Sequence, residues 1–112
     1  DVAEAMRRFQ AIGIKVHLTE VAVRVHARNP SPDTLQAQGD KYREILRTCL
    51  DAPNCDLMTI FGITDKLHWL VLSGESEAPV IFDGNYNPKP AYGSLLAELK
   101  SRGPKVKWIP TK

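Results

Sequence analysis

The sequence predicts an α/β fold with parallel strands. Helical and strand-like segments alternate in the order helix, strand, helix, strand, helix, and the two strands are joined through a helix of the length that a parallel pair needs. The second strand segment, Leu57-Met58-Thr59-Ile60-Phe61, is a compact apolar run between turn signals, as expected for a strand covered on both faces. Two such strands do not make a stable parallel sheet covered on both faces, so the sequence reads as incomplete rather than small.

Asp1 to Ile12 reads as a helix: Val2, Ala5, Met6, Phe9 and Ile12 form an apolar stripe, and Glu4, Arg7, Arg8 and Gln10 face water. Gly13 is placed to end it, because glycine accepts the left-handed conformation at a helix exit. Ile14 to Glu20 then alternates as a strand does, with Ile14, Val16 and Leu18 on one face and Lys15, His17 and Thr19 on the other. Glu20 continues the apolar parity. A carboxylate there is either a solvated strand end or a group with a partner or a task, since burying an unpaired charge is costly.

Val21 to Val25 remains β-prone, and Asn29-Pro30-Ser31-Pro32-Asp33 breaks regular structure. Thr34 to Leu50 is the longest helical stretch, with Ser31, Asp33 and Thr34 as alternative N-caps and Tyr42, Ile45, Leu46, Cys49 and Leu50 as its buried stripe. Pro53-Asn54 stops it. From Gly62 to Asn87 the chain reads as a long irregular segment holding one short extended piece, Val80-Ile81-Phe82, and a loop of that length is uncommon unless it is functional. Pro88-Lys89-Pro90 sets up a last helix, Ala91 to Lys100, with Tyr92, Leu95, Leu96 and Leu99 inward; Ser101 to Lys112 is expected to be irregular.

The chain has 112 residues, enough for one small domain. Hydrophobic residues make up 43% and charged residues 25%, a soluble globular balance, and the formal net charge of +2 is too small and too evenly spread to indicate nucleic acid or an anionic membrane. No apolar run approaches the roughly 20 residues of a membrane span. The chain opens inside a helical pattern with no signal peptide ahead of it, which leaves its destination open. Cys49 and Cys55 are too far apart for a CxxC metal pair and have no matching Cys/His set elsewhere, so no metal is expected. A local disulfide, which would place the protein in an oxidising compartment, and two buried free thiols both fit the spacing. His17 and His26 read as surface or satisfied histidines, and Tyr86 and Tyr92 as packing residues.

If the two strands are parallel neighbours, Glu20 at the end of the first shares a rim with Phe61, Thr64, Asp65, His68 and Trp69 after the second, where α/β folds gather their function. An acid beside aromatic rings suggests sugar binding, because rings stack on the apolar faces of pyranoses. Taken alone, Trp69 fits equally a loop tryptophan closing a core.

Thr19-Glu20 on a strand, then Phe61-Gly62-Ile63-Thr64-Asp65-Lys66 and Trp69, then the long stretch Phe82-Asp83-Gly84-Asn85-Tyr86-Asn87-Pro88-Lys89-Pro90-Ala91-Tyr92, resembles glycoside hydrolase family ten, the retaining endo-β-1,4-xylanases. The resemblance runs from about Val2 to Leu99. It implies a (β/α)8 TIM barrel, of which residues 1–100 would be the C-terminal part (helix six, strand seven, helix seven, strand eight, helix eight), with 101–112 an irregular tail. A full barrel takes about 250 residues.

The resemblance makes Glu20 the catalytic nucleophile that attacks the anomeric carbon, with a second carboxylic acid about 5–5.5 Å away protonating the leaving oxygen. That acid/base follows an asparagine on strand four, to which nothing in this chain corresponds. Trp69 matches a family tryptophan over a glycone-side sugar, Phe61 stands where the family has the strand-eight tryptophan, and His68 stands where it often has serine; these and Asp65 are the candidate sugar contacts. Cys49 and Cys55 match a disulfide of many members, which supports a secreted or periplasmic location. The family aspartate two residues after the nucleophile, which helps to orient it, is Ala22 here, so Glu20 is expected to be less well held.

Two functions follow. One is the C-terminal part of a xylanase, acting on xylan or xylo-oligosaccharides without a cofactor, with the missing N-terminal strands as its structural partner. The other is a non-catalytic copy that binds sugar weakly or completes another chain's barrel.

Overall fold

The computed structural model describes residues 1–103. The elements are α1 (Val2–Ala11), β1 (Val16–Val21), α2 (Pro32–Asp51), β2 (Cys55–Ile60), a 3₁₀ turn (Asp65–Leu67), α3 (Trp69–Leu72) and α4 (Pro90–Arg102). The two strands pair in parallel, with Val16 opposite Cys55, Leu18 opposite Met58 and Val21 opposite Ile60. The α/β order and the parallel pairing expected from the sequence are both present.

Local chemistry sets the boundaries. The Asp1 carboxylate accepts from the Ala3 N–H and starts α1. At its exit Gly13 takes φ +77°, the Ile14 N–H donates to the Phe9 carbonyl and the Gly13 N–H to the Gln10 carbonyl, a Schellman closure. The Asn54 side chain donates to the carbonyls of Met6 and Ile14, tying α1 to the start of both strands. Of the three alternative caps for α2, Ser31 is used: its hydroxyl accepts from the Thr34 N–H at 3.2 Å, with Pro32 in the first turn. Cys49 and Cys55 form a disulfide, Cα atoms 5.2 Å apart, across the turn from α2 into β2.

The core is built around α2, against which α4 and the 77–82 segment pack. Tyr42, Met6, Val80 and Pro79 are fully buried. The Tyr42 hydroxyl donates to the Pro79 carbonyl at 2.6 Å, and burial pushes its pKa up to about 12. Gln38 donates to the carbonyls of Val23 and Ala78, so α2 carries the segment after β1 and the late loop together.

Several expected apolar faces are bare. Leu57 and Phe61 are each 41% exposed, so β2 is not covered on both faces. The α1 stripe buries only Met6, leaving Val2, Phe9 and Ile12 in solvent, and Leu50 on α2 is exposed. The cause is common to them: a two-stranded sheet offers no third element to pack there. On α4 the buried residues are Ala91 and Glu98, with Leu95 and Leu99 half-buried and Tyr92 and Leu96 exposed, which rotates the helix from the expected face. Tyr86 is also exposed, while Tyr92 lays its ring 5.3 Å from that of Phe82. The helix includes Ser101 and Arg102, so the expected irregular tail does not begin at 101; its remainder, 104–112, lies outside the described residues.

Glu98 explains the rotation. Its carboxylate accepts from Arg43, Arg47 and Arg102, joining α2 to α4, and the Arg47 bond, followed by that to Arg43, holds its pKa well below the ordinary carboxylate range. The same helices meet closely at Gly39, where an added Cβ would lie 2.8 Å from Ser94 Oγ and 3.2 Å from the Ala91 nitrogen.

Two outcomes follow. In urea titrations Gly39→Ala lowers stability by about 1–3 kcal/mol through overpacking, whereas Gly93→Ala, whose Cβ meets nothing within 4 Å on the same helix pair, raises it by about 0.5–1 kcal/mol. The folded-state pKa of Glu98 is depressed, so its contribution is complete above about pH 4.5 and is lost as pH falls through the lower folded value. Thermal melts should therefore show Glu98→Gln less stable than the parent at pH 7, with the gap closing only below the ordinary carboxylate range.

Candidate functional site

Parallel pairing brings the carboxyl ends of β1 and β2 to one edge. The Phe61 N–H donates to the Val21 carbonyl at 2.9 Å, which sets Phe61 beside the residues following the nucleophile candidate. Glu20 is exposed and takes φ +60°, and its N–H donates to Thr59 Oγ1 at 3.4 Å. The strand register slips between Leu18 and Val21 at this point. The alternation therefore does not carry Glu20 onto the half-buried face with Val16 and Leu18; a left-handed residue ends the alternation and leaves the carboxylate in solvent. A non-glycine residue in that region is uncommon and concentrates at functional sites. Ala22, half-buried two residues on, has no polar side chain with which to hold it.

The segment expected to be irregular, Gly62 to Asn87, contains the 3₁₀ turn and α3. Each has a side-chain cap that sequence reasoning missed. Thr64 Oγ1 accepts from the Lys66 N–H, and His68 Nδ1 accepts from the Leu70 N–H at 3.3 Å. Around Phe82 the chain makes bridge pairings with Thr64 and Pro88, so the expected extended piece is real but very short.

Beneath these turns Lys89 is buried, with 6% exposure. Its ammonium donates to Asp65 Oδ2 at 2.9 Å and to the carbonyls of Ala78 and Val80 at 2.7 and 2.6 Å. Burial lowers the Lys89 pKa, and Asp65 opposes that shift. Asp65 Oδ1 accepts from the Val80 N–H at 2.9 Å, so both carboxylate oxygens have protein partners. Expected as a sugar contact, Asp65 is instead the buried anchor of its loop. Lys89 gave no signal, since a lysine between two prolines reads as solvated loop.

Two further acids fasten the surrounding loops. Burial alone would raise the Glu77 pKa, but Arg24 and the His26 and Val25 backbone N–H groups outweigh it and lower it. Arg24 also bonds Glu75, fastening the segment after β1 to the loop after α3. Asp83 accepts from the Asn87 and Asn85 N–H groups, and these bonds, Asn87 foremost, lower its pKa.

The aromatic candidates form one chain of contacts. The Phe61 ring meets that of His68 edge-on, centroids 5.8 Å apart, and His68 meets Trp69 at 6.1 Å and 33°. His68 is 3% exposed, Phe61 partly exposed and Trp69 55% exposed, so one indole is presented to solvent. A concavity of about 600 Å³ lies between Arg28, Asn29 and the Asp83–Asn85 turn; Asp65, Glu77 and Lys89 line it, but none of Glu20, Phe61 or Trp69 does. The candidate site is thus an open edge rather than a closed pocket. Among the described residues no group of three His, Cys, Asp or Glu side chains could hold a metal ion, and no helix is long and apolar enough to cross a membrane.

Residues 1–98 match the pattern described as glycosyl hydrolase family 10. An endo-1,4-beta-xylanase 1 of Humicola insolens is 38% identical over 101 residues, covering 88% of this chain and 23% of that protein. An endo-1,4-beta-xylanase B of Thermotoga neapolitana is 35% identical over 99 residues, covering 87% and 28%. Among solved structures, xylanase 10B from Thermotoga petrophila RKU-1 in complex with xylobiose superposes with a TM-score of 0.82 at 29% identity, over 89% of this chain and 31% of that one. The structural neighbours are (β/α)8 barrels, and the chain described here is a mixed α/β portion with two strands that spans less than a third of the neighbour's length. The resemblance drawn from Thr19-Glu20, the Phe61–Trp69 stretch and Phe82–Tyr92 is thereby confirmed, and the chain belongs to glycosyl hydrolase family 10.

Proposed function

We propose that this chain is the nucleophile-bearing C-terminal part of a retaining endo-1,4-β-xylanase barrel. Glu20 carries the reading: it is exposed at the carboxyl edge of β1 in a left-handed backbone conformation, and the aromatic chain from Phe61 to Trp69 starts at the end of the neighbouring strand. In that role Glu20 attacks the anomeric carbon of a xylosyl unit while a carboxylic acid from another part of the barrel protonates the departing oxygen. Trp69 and Phe61 offer ring faces to the sugar, and His68 and Asp65 act behind them. The substrate class is xylan or xylo-oligosaccharide, in keeping with the xylobiose bound by the Thermotoga petrophila neighbour. The structural partner is the rest of the barrel, whose elements would cover Leu57 and the α1 stripe. The disulfide supports a secreted or periplasmic setting.

Ala22 favours a second reading, a copy that has drifted from full catalysis and binds sugar or completes another barrel. By itself the chain should hydrolyse no xylan, because retention needs two carboxyl groups. A fusion to the N-terminal part of an active family member separates the two readings. If the first holds, the fusion hydrolyses xylan and Glu20→Gln lowers kcat by roughly 10³-fold or more, whereas a gain of about tenfold on Ala22→Asp, equivalent to ~1.4 kcal/mol, marks the drift of the second. An active fusion indifferent to Glu20→Gln would overturn the nucleophile assignment.

A further inference from the structure

His68 occupies an unusual position for an imidazole. Its ring lies between Phe61 and Trp69 and above Gly62, where φ is +108° and an added Cβ would come within 3.4 Å of His68 Cδ2. Nδ1 accepts the Leu70 N–H, so that nitrogen carries a lone pair and the proton resides on Nε2. Nε2 is buried with no partner in good hydrogen-bond geometry, the Phe61 backbone being a weak polar neighbour of the ring. The ring is therefore neutral, and it does two things at once: it backs the exposed indole of Trp69 and caps the helix that Trp69 begins.

We propose that His68 is the positioning residue for the Trp69 indole, and that protonating it releases the platform. A proton can enter only at Nδ1, where it would face the Leu70 N–H. The cap would then be lost, an orphan backbone donor left, and a charge created inside a buried aromatic cluster. The acids near His68 offset that charge only in part. Asp65 is already engaged by Lys89 and Val80, and Glu77 by Arg24 and the Val25 and His26 backbone. Burial accordingly pushes the His68 pKa below 6.5, with Asp65, the Phe61 backbone and Glu77 pulling the other way. If the proposed function holds, sugar stacking on Trp69 weakens in acid through a rise in KM, but the release itself does not depend on that function.

The test is an NMR titration of the isotopically labelled full chain from pH 8 to pH 4. The His68 imidazole, the Leu70 amide and the Trp69 indole N–H should share one midpoint below 6.5, and Leu70 exchange protection should fall at least about tenfold across it beyond the intrinsic pH effect. His68→Asn places an amide oxygen where Nδ1 accepts, so in that variant Leu70 and Trp69 should lose the transition and keep the protection. A Leu70 amide or Trp69 indole that ignores the His68 midpoint in the parent chain overturns the proposal, as does the same transition persisting in His68→Asn. Neither result depends on xylan binding.

Discussion

A buried ammonium has three protons and no tolerance for leaving one unmatched, and Lys89 satisfies that demand with one acceptor for each. Asp65 supplies charge, while Val80 and Ala78 supply carbonyls, the latter shared with the Gln38 amide. Asp65 in turn fixes the Val80 N–H with its second oxygen. The loop after β2 is therefore determined by one ion, and everything placed on it, from the Thr64 turn to the His68 cap and the Trp69 indole, inherits that geometry. Removing one partner of such a pair typically costs about 3–5 kcal/mol, because the other remains buried and charged.

The same device recurs where this chain must hold without a complete core. Glu98 gathers arginines from α2 and α4, and Glu77 gathers Arg24 and the backbone that follows β1. Each joins segments far apart in sequence. Polar clamps keep the loops in register with the helices while the strand faces that would meet neighbouring barrel elements stay uncovered. Direction is what distinguishes these clamps from hydrophobic contacts: a carboxylate matched to two or three donors admits few other arrangements.

What could be read from the sequence depended on whether local periodicity or distant partners controlled each residue. The Gly13 exit, the α2 helix and the parallel order of the strands follow from local rules, and the chain obeys them. Glu20 did not follow its parity, because a single left-handed residue interrupts alternation and nothing in Leu-Thr-Glu-Val announces one. Glu98 sits among leucines on a helix surface pattern, and only the arginines 51 and 55 positions away turn it inward. Lys89 and His68 were equally hidden, their environments being assembled from residues that the chain brings together only on folding. The expectation that β2 is covered on both faces describes a strand inside a full barrel rather than one of two.

The Lys89 contacts close the 62–90 segment at 65, at 78–80 and at 89. This divides it into two lobes, 66–77 and 81–88, whose ends are fixed by the same ammonium. Length added inside either lobe is not transmitted to the other, and lengthening a flexible loop costs little, ~0.6 kcal/mol per doubling. Such a lobe can vary without disturbing the helices beneath it. The portion carrying His68 and Trp69 is thus mechanically separable: a change of length there leaves the pairing of β1 with β2 and the packing of α2 on α4 as they are.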